Sequence, residues 1–119
     1  MRSSAWTTAF VFAAAAFALL ALLGAIASRH GVNADEGFYL LAGLRVLAGE
    51  RLYADFFYPQ MPYLPLAGAL VIGAAEPSLF VGRLVSVVPG ALLGGLLAAV
   101  AYRRSGRGEV AALVLMAYA

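Results

Sequence analysis

The chain contains no cysteine in 119 residues. A disulfide framework, a thiolate metal site and a cysteine nucleophile are therefore excluded, and the redox compartment is left unmarked. Lysine is also missing: all eight basic side chains are arginines, scattered or placed at segment ends, with no single basic stripe. That distribution argues against a nucleic-acid surface. The only histidine, His30, cannot build a metal site on its own and reads as a solvated residue at the end of the first apolar run. Charge of either sign is scarce, at 12% of positions against 64% hydrophobic, whereas soluble domains carry about 25% charged residues. The composition is that of an integral membrane protein.

The apolar residues fall into runs whose lengths set the topology. Residues 5–27, at roughly 20 residues or more, are long enough to cross a hydrocarbon core about 30 Å thick. The competing reading is a secretory signal peptide, since Ala25-Ile26-Ala27 resembles a cleavage site. The run is longer than the usual apolar core of roughly 7–15 residues, and Arg2 is the only basic residue before it. Residues 62–75 form a shorter run, led by Pro62 and Pro65, of a length that suits an interfacial or re-entrant helix. Glu76-Pro77 breaks the pattern, and residues 78–102 form a second span with Arg83 near one end, where it can snorkel. Arg103, Arg104 and Arg107 follow at once. The positive-inside rule puts these arginines in the cytoplasm if the chain crosses twice with a cytoplasmic amino terminus. Residues 28–77 then make one extracytoplasmic loop. Residues 109–119 begin a third span and stop short of the required length. The expected fold is all-α: transmembrane helices with an extracytoplasmic first loop bearing two interfacial helices, 36–48 and 62–75. The Ala, Gly and Arg richness without lysine suggests a GC-rich bacterium, hence a bacterial inner membrane. Neither span has an ionisable residue near its middle, which argues against a transporter or channel.

Charge, aromatic rings and prolines gather between Asp35 and Pro65. Asn33 is placed to cap a helix, with Glu36 in capping-box spacing. Leu40, Leu41, Leu44, Leu47 and Ala48 share one helical face, Gly43 and Arg45 fall away from it, and Gly49 ends the helix. Such a helix would lie in the interface with its leucines in the acyl boundary and Arg45 towards lipid phosphates. Residues 52–63, with Tyr53, Phe56, Phe57, Tyr58 and Tyr63 between prolines, read as an irregular aromatic loop at headgroup level. Plainer readings exist for each. Asp35 and Glu36 suit any helix N-terminus, where the dipole favours them by about 0.3–1 kcal/mol. The aromatics suit an interfacial belt, Asp55 suits a solvated loop, and Gly90 with Gly94 and Gly95 suits close helix packing.

The ordered set of a first span, Asp35-Glu36 with Tyr39, a helix ending at Gly49, Leu52-Tyr53-x-Asp55-Phe56, Pro62-x-x-Pro65 before a short apolar helix, and Arg83-Leu84 opening the next span resembles the amino-terminal end of the GT-C glycosyltransferases. Within them it is most similar to the protein mannosyltransferase and aminoarabinose-transferase-like group, family 39. The resemblance covers nearly the whole chain. It implies a multispanning enzyme that moves a sugar from a polyprenyl-phosphate donor to an acceptor on the outer face of the membrane. It makes Asp35 the functional carboxylate and Glu36 the second acidic position. Tyr39, Arg45, Arg51, Tyr53 and Asp55 follow as substrate contacts in the same loop. Asp35 would act as the base that takes the acceptor hydroxyl proton, and positive charge would stabilise the departing phosphate. Some relatives use a divalent cation such as Mg or Mn and others do not, so a metal at Asp35 is left open. Family members are much longer, so residues 1–119 read as the first part of such a domain, inactive without the remainder of the enzyme. The expected partners are membrane lipid and the lipid-linked donor. The alternative is a small non-catalytic membrane protein that packs against partner helices through Gly/Ala faces.

Overall fold

The computed structural model describes residues 4–31, 34–75 and 78–119. Among them there are five α-helices and no sheet: α1 Ala5–Arg29, α2 Ala34–Leu47, α3 Tyr63–Gly73, α4 Leu79–Ser105 and α5 Gly108–Tyr118. At a rise of about 1.5 Å per residue, α1 is about 37 Å long and α4 about 40 Å, while α3 and α5 reach only about 16 Å. The first two are the helices long and apolar enough to cross a membrane. Ser4 starts α1: its Oγ accepts the Thr7 N–H at 3.2 Å, satisfying one of the free amides of the first turn.

The chain divides into two compact units, one made of Met1–Ile26 with Ser86–Ala119 and the other of Ala27–Val85. In the first, α1 runs antiparallel to α4, and glycines on α4 set the separation. A methyl group on Gly95 would stand 2.8 Å from Ala16 Cβ and 3.0 Å from the Phe12 carbonyl oxygen; one on Gly94 would strike Leu19 and the Tyr118 ring. The expected close packing at Gly90, Gly94 and Gly95 is thus present, and it serves contacts within the chain. Ala15, Ala98 and Ala111 form the buried centre, with Val11, Tyr102 and Leu115 packed on it. The Tyr118 hydroxyl donates to the Gly90 carbonyl at 2.8 Å. Trp6, Phe10, Phe17, Leu92 and Leu93 all point outward. Small residues inside and large apolar ones outside is the reverse of a water-soluble core and the usual pattern of helices packed in lipid.

In the second unit α2 and α3 pack as a pair. Their backbones approach at Gly43, where an added methyl group would lie 3.4 Å from Ala69 N and from Gly68 C. Gly43 lies off the leucine face, as the spacing predicts, and this small-residue side is the one that meets α3, while Leu41, 57% exposed, and Leu47, 48% exposed, point outward. The reason is steric: two helices with small residues at the crossing come closer, and gain more contact, than two leucine ridges permit. α2 ends as expected at Gly49, with φ +91°. The Gly49 N–H bonds Val46 O at 2.9 Å and the Glu50 N–H bonds Arg45 O at 3.0 Å, the paired bonds of a Schellman stop.

The segment between α2 and α3 is irregular, but it is not simply an aromatic belt. Phe56 and Tyr58 are buried with Ala42, and Tyr39, Val46 and Leu52 pack against them; Phe57 and Tyr63 are exposed. Tyr53 holds a left-handed backbone at φ +67°, a conformation that costs an L-residue about 1–2 kcal/mol. Its hydroxyl anchors it by donating to the Gln60 carbonyl at 2.6 Å. Pro62 is the N-cap of α3, and Pro65 falls in the first turn, where a missing N–H does no harm. The expected Asn33 cap and the Glu76-Pro77 break lie outside the described residues.

Candidate functional site

Ser78 Oγ accepts the Val81 N–H at 3.1 Å, fixing the start of α4 and placing Arg83 just inside it. A guanidinium in an apolar helix needs compensation for the water it gives up, and Arg83 finds it in three segments. Its Nε donates to Glu36 Oε1 at 2.8 Å and Nη2 to Glu36 Oε2 at 2.7 Å. Nη2 also reaches the Gly31 carbonyl at 2.9 Å, and Nη1 reaches the carbonyls of His30, at 3.0 Å, and Ala27. An arginine has five N–H donors, and all are engaged. The Arg83 side chain is 11% exposed and that of Glu36 33%. One side chain therefore ties the carboxyl end of α1, whose last carbonyls lack helical partners, to the first turn of α2.

This arrangement assigns different positions to the two adjacent carboxylates. Glu36, expected as a substrate contact, has both oxygens bonded to Arg83. Asp35, beside it in the same turn, is exposed. Tyr39 lies one turn further along α2, half-buried against the aromatic cluster.

The remaining expected contacts are engaged locally and form two smaller groups. Arg45 is about 15 Å along the α2 axis from Asp35. Its Nη2 pairs with Glu50 Oε2 at 2.6 Å, and its guanidinium lies 4.4 Å from the centre of the Phe56 ring, a cation–π distance. Arg51 holds Asp55 in a bidentate pair, both bonds at 3.1 Å, while the Arg51 amide donates to the same carboxylate at 2.7 Å. The Arg51 side chain and then its amide hold the Asp55 carboxyl below the usual aspartate range, and Asp55 in turn raises Arg51. Tyr53 lies in the turn enclosed by that pair.

Tyr58 stacks on Phe38 with ring centres 5.4 Å apart and planes within 5°, and Phe38 meets Tyr39 edge-on at 5.8 Å. The Tyr58 hydroxyl is buried with no hydrogen-bond partner among the described residues. Burial first, then the neighbouring Tyr39 and Tyr53, push its ionisation upward.

Arg83 is the residue whose role the sequence concealed. It was expected only to snorkel; the structure turns it inward. The available signal was a lone charge within an apolar helix, which calls for a named partner. The divalent-cation option at Asp35 finds no supporting donor set: no group of three His, Cys, Asp or Glu side chains capable of holding a metal occurs among the described residues, and Glu36 is committed to Arg83. The arrangement offers an exposed carboxylate at a helix N-terminus, braced by an ion pair beside it and bordered by aromatic rings. No protein family, no curated protein and no solved structure matches this chain.

Proposed function

We propose that this chain lies in a bacterial inner membrane, with α1 and α4 crossing it, the amino terminus in the cytoplasm and the segment between them on the outer face. We further propose that this segment is the catalytic loop of a glycosyltransferase using a polyprenyl-phosphate-linked sugar. The observation that carries the reading is the Arg83–Glu36 lock, which fixes the first turn of α2 with Asp35 exposed beside it. In the proposed reaction, Asp35 takes the proton of the acceptor hydroxyl while the acceptor oxygen bonds to the anomeric carbon and the carbon–oxygen bond to phosphate breaks. The lipid phosphate leaves with the bonding electrons. Arg51 is the loop guanidinium best able to meet it, because its side chain is 77% exposed and surface ion pairs exchange partners at little cost.

The test uses the protein as its own cell produces it. Membranes carrying Asp35→Asn are assayed for sugar transfer from labelled polyprenyl-phosphate donors. General-base catalysis contributes about 10²–10⁴-fold, so a loss of that size is expected, with membrane insertion unchanged by alkaline extraction. Full transfer by the variant removes Asp35 from the mechanism. The orientation is checked separately, since the chain has no cysteine of its own. Single cysteines at Ala34 and Ser105 should label from opposite sides.

The second reading, a non-catalytic membrane protein gripping partner helices, relied on Gly/Ala faces. Gly94 and Gly95 are occupied by Leu19, Tyr118 and Ala16 of the same chain. A partner would have to bind elsewhere.

A further inference from the structure

Beyond the Gly95 crossing, towards the start of α1 and the end of α4, the contact between these helices opens into a groove. Ala5, Thr8, Ala9 and Phe12 line one wall and Leu96, Ala99 and Arg103 the other, around a volume of about 470 Å³. The spacing on each helix is that of a single face. The alanines make the hollow, because they leave the wall short where a leucine would fill it. Among the described residues, Arg103 is the only charged side chain lining it.

Among the described residues, no carboxylate pairs with Arg103. Arg45, Arg51, Arg83 and Arg107 each pair with a carboxylate, whereas Arg103 and Arg104 form no ion pair among the described residues. An apolar slot with an unpaired guanidinium on its lining complements an amphiphile with an anionic head. Basic pockets between membrane helices on the cytoplasmic side take anionic lipid headgroups in this way.

We propose that this groove binds one acyl chain of an anionic phospholipid, with the lipid phosphate on Arg103. The inference shares with the proposed function only the membrane placement and is independent of Asp35.

The full chain, purified in a nonionic detergent, is examined by native mass spectrometry after incubation with palmitoyl-oleoyl phosphatidylglycerol or with phosphatidylcholine of the same acyl chains. Phosphatidylglycerol should be retained in preference by about fivefold, the size of one basic side chain's attraction to an anionic surface. Arg103→Gln should abolish the preference, and Arg103→Lys should keep most of it. Arg104→Gln, an equal change of charge outside the groove lining, should leave it intact. Ala9→Phe, which fills the slot, should reduce retention of both lipids. Soluble glycerol phosphate should not displace the bound lipid. Equal retention of the two lipids by the unaltered chain, equal effects of the Arg103 and Arg104 changes, or displacement by glycerol phosphate would each overturn the proposal. Release of the chain from membranes by alkaline carbonate would overturn the placement as well, whereas a chain that stays embedded without lipid preference loses only this site.

Discussion

Replacing Gly95 by alanine tests whether the separation of α1 and α4 is set by backbone contact. The added methyl carbon would meet Ala16 Cβ at 2.8 Å, Phe12 O at 3.0 Å and Ala16 N at 3.1 Å. Carbon atoms rest about 3.5–4.0 Å apart, so the overlap with Ala16 Cβ is roughly 0.7–1.2 Å on the same scale. None of the three partners can move by a side-chain rotation, because two are backbone atoms and the third is a Cβ. The helices must shift instead. Overpacking of that kind costs about 1–3 kcal/mol, while alanine gains about 0.8–1.0 kcal/mol over glycine in a helix interior. The expected net loss is about 1 kcal/mol. Gly24 provides the internal control: it lies inside α1 with nothing within 4 Å of an added methyl group. Gly24→Ala therefore collects the propensity gain alone and should stabilise by up to about 1 kcal/mol. Gly94→Ala should fall between the two, since its obstacles are the ends of Leu19 and Tyr118. The assay is reversible unfolding in nonionic micelles followed by far-ultraviolet circular dichroism. If Gly95→Ala proves as stable as Gly24→Ala, the α1–α4 distance is not limited by backbone contact and the reasoning fails.

Tyr58→Phe removes a buried hydroxyl that has no partner among the described residues, so it should be neutral or stabilise by about 1 kcal/mol; a clear loss in the same unfolding assay would reveal a partner. The Asp55 carboxyl, observed by nuclear magnetic resonance, should titrate below the ordinary aspartate value of about 3.9, and Arg51→Met should return it towards that value. Because this folded-state value is depressed, the contribution of the Arg51–Asp55 pair to stability is present above the ordinary value and disappears as pH falls through the depressed one. Arg83→Met should speed amide hydrogen exchange in the first turn of α2, and adding Glu36→Gln should do little more, since both changes break the same pair. Independent, additive effects would disconnect the two residues.

Much of the fold was legible because length and hydropathy are sufficient for α1 and α4, and because prolines and a glycine mark the start of α3 and the end of α2. What the sequence concealed depends on contacts distant along the chain. The leucines of α2 are periodic, and periodicity identifies an apolar stripe without saying what covers it. Which face packs was decided by Gly43 meeting Gly68, a fit visible only once α3 is in place. Glu36 and Arg83 lie 47 positions apart, with no local pattern to join them. Arg45, Arg51 and Asp55 were picked out for their position in a charged loop, and each proved to have a close partner there. The left-handed Tyr53 carries no signal either, since glycine or asparagine is the residue that usually marks such a backbone.

The small-on-small seam between α2 and α3 has a practical corollary for anyone wishing to study residues 34–75 apart from the long helices. With Gly43, Gly68 and Ala69 filling the seam, the bulk of the hydrocarbon is turned out: Leu41 and Leu47 on one helix, Leu66 and Leu70 on the other, all exposed. The small buried cluster around Phe56, Tyr58 and Ile72 leaves these leucines uncovered. Excised and expressed in water, the hairpin should precipitate or sequester itself in micelles, because water is a poor solvent for the surface it presents.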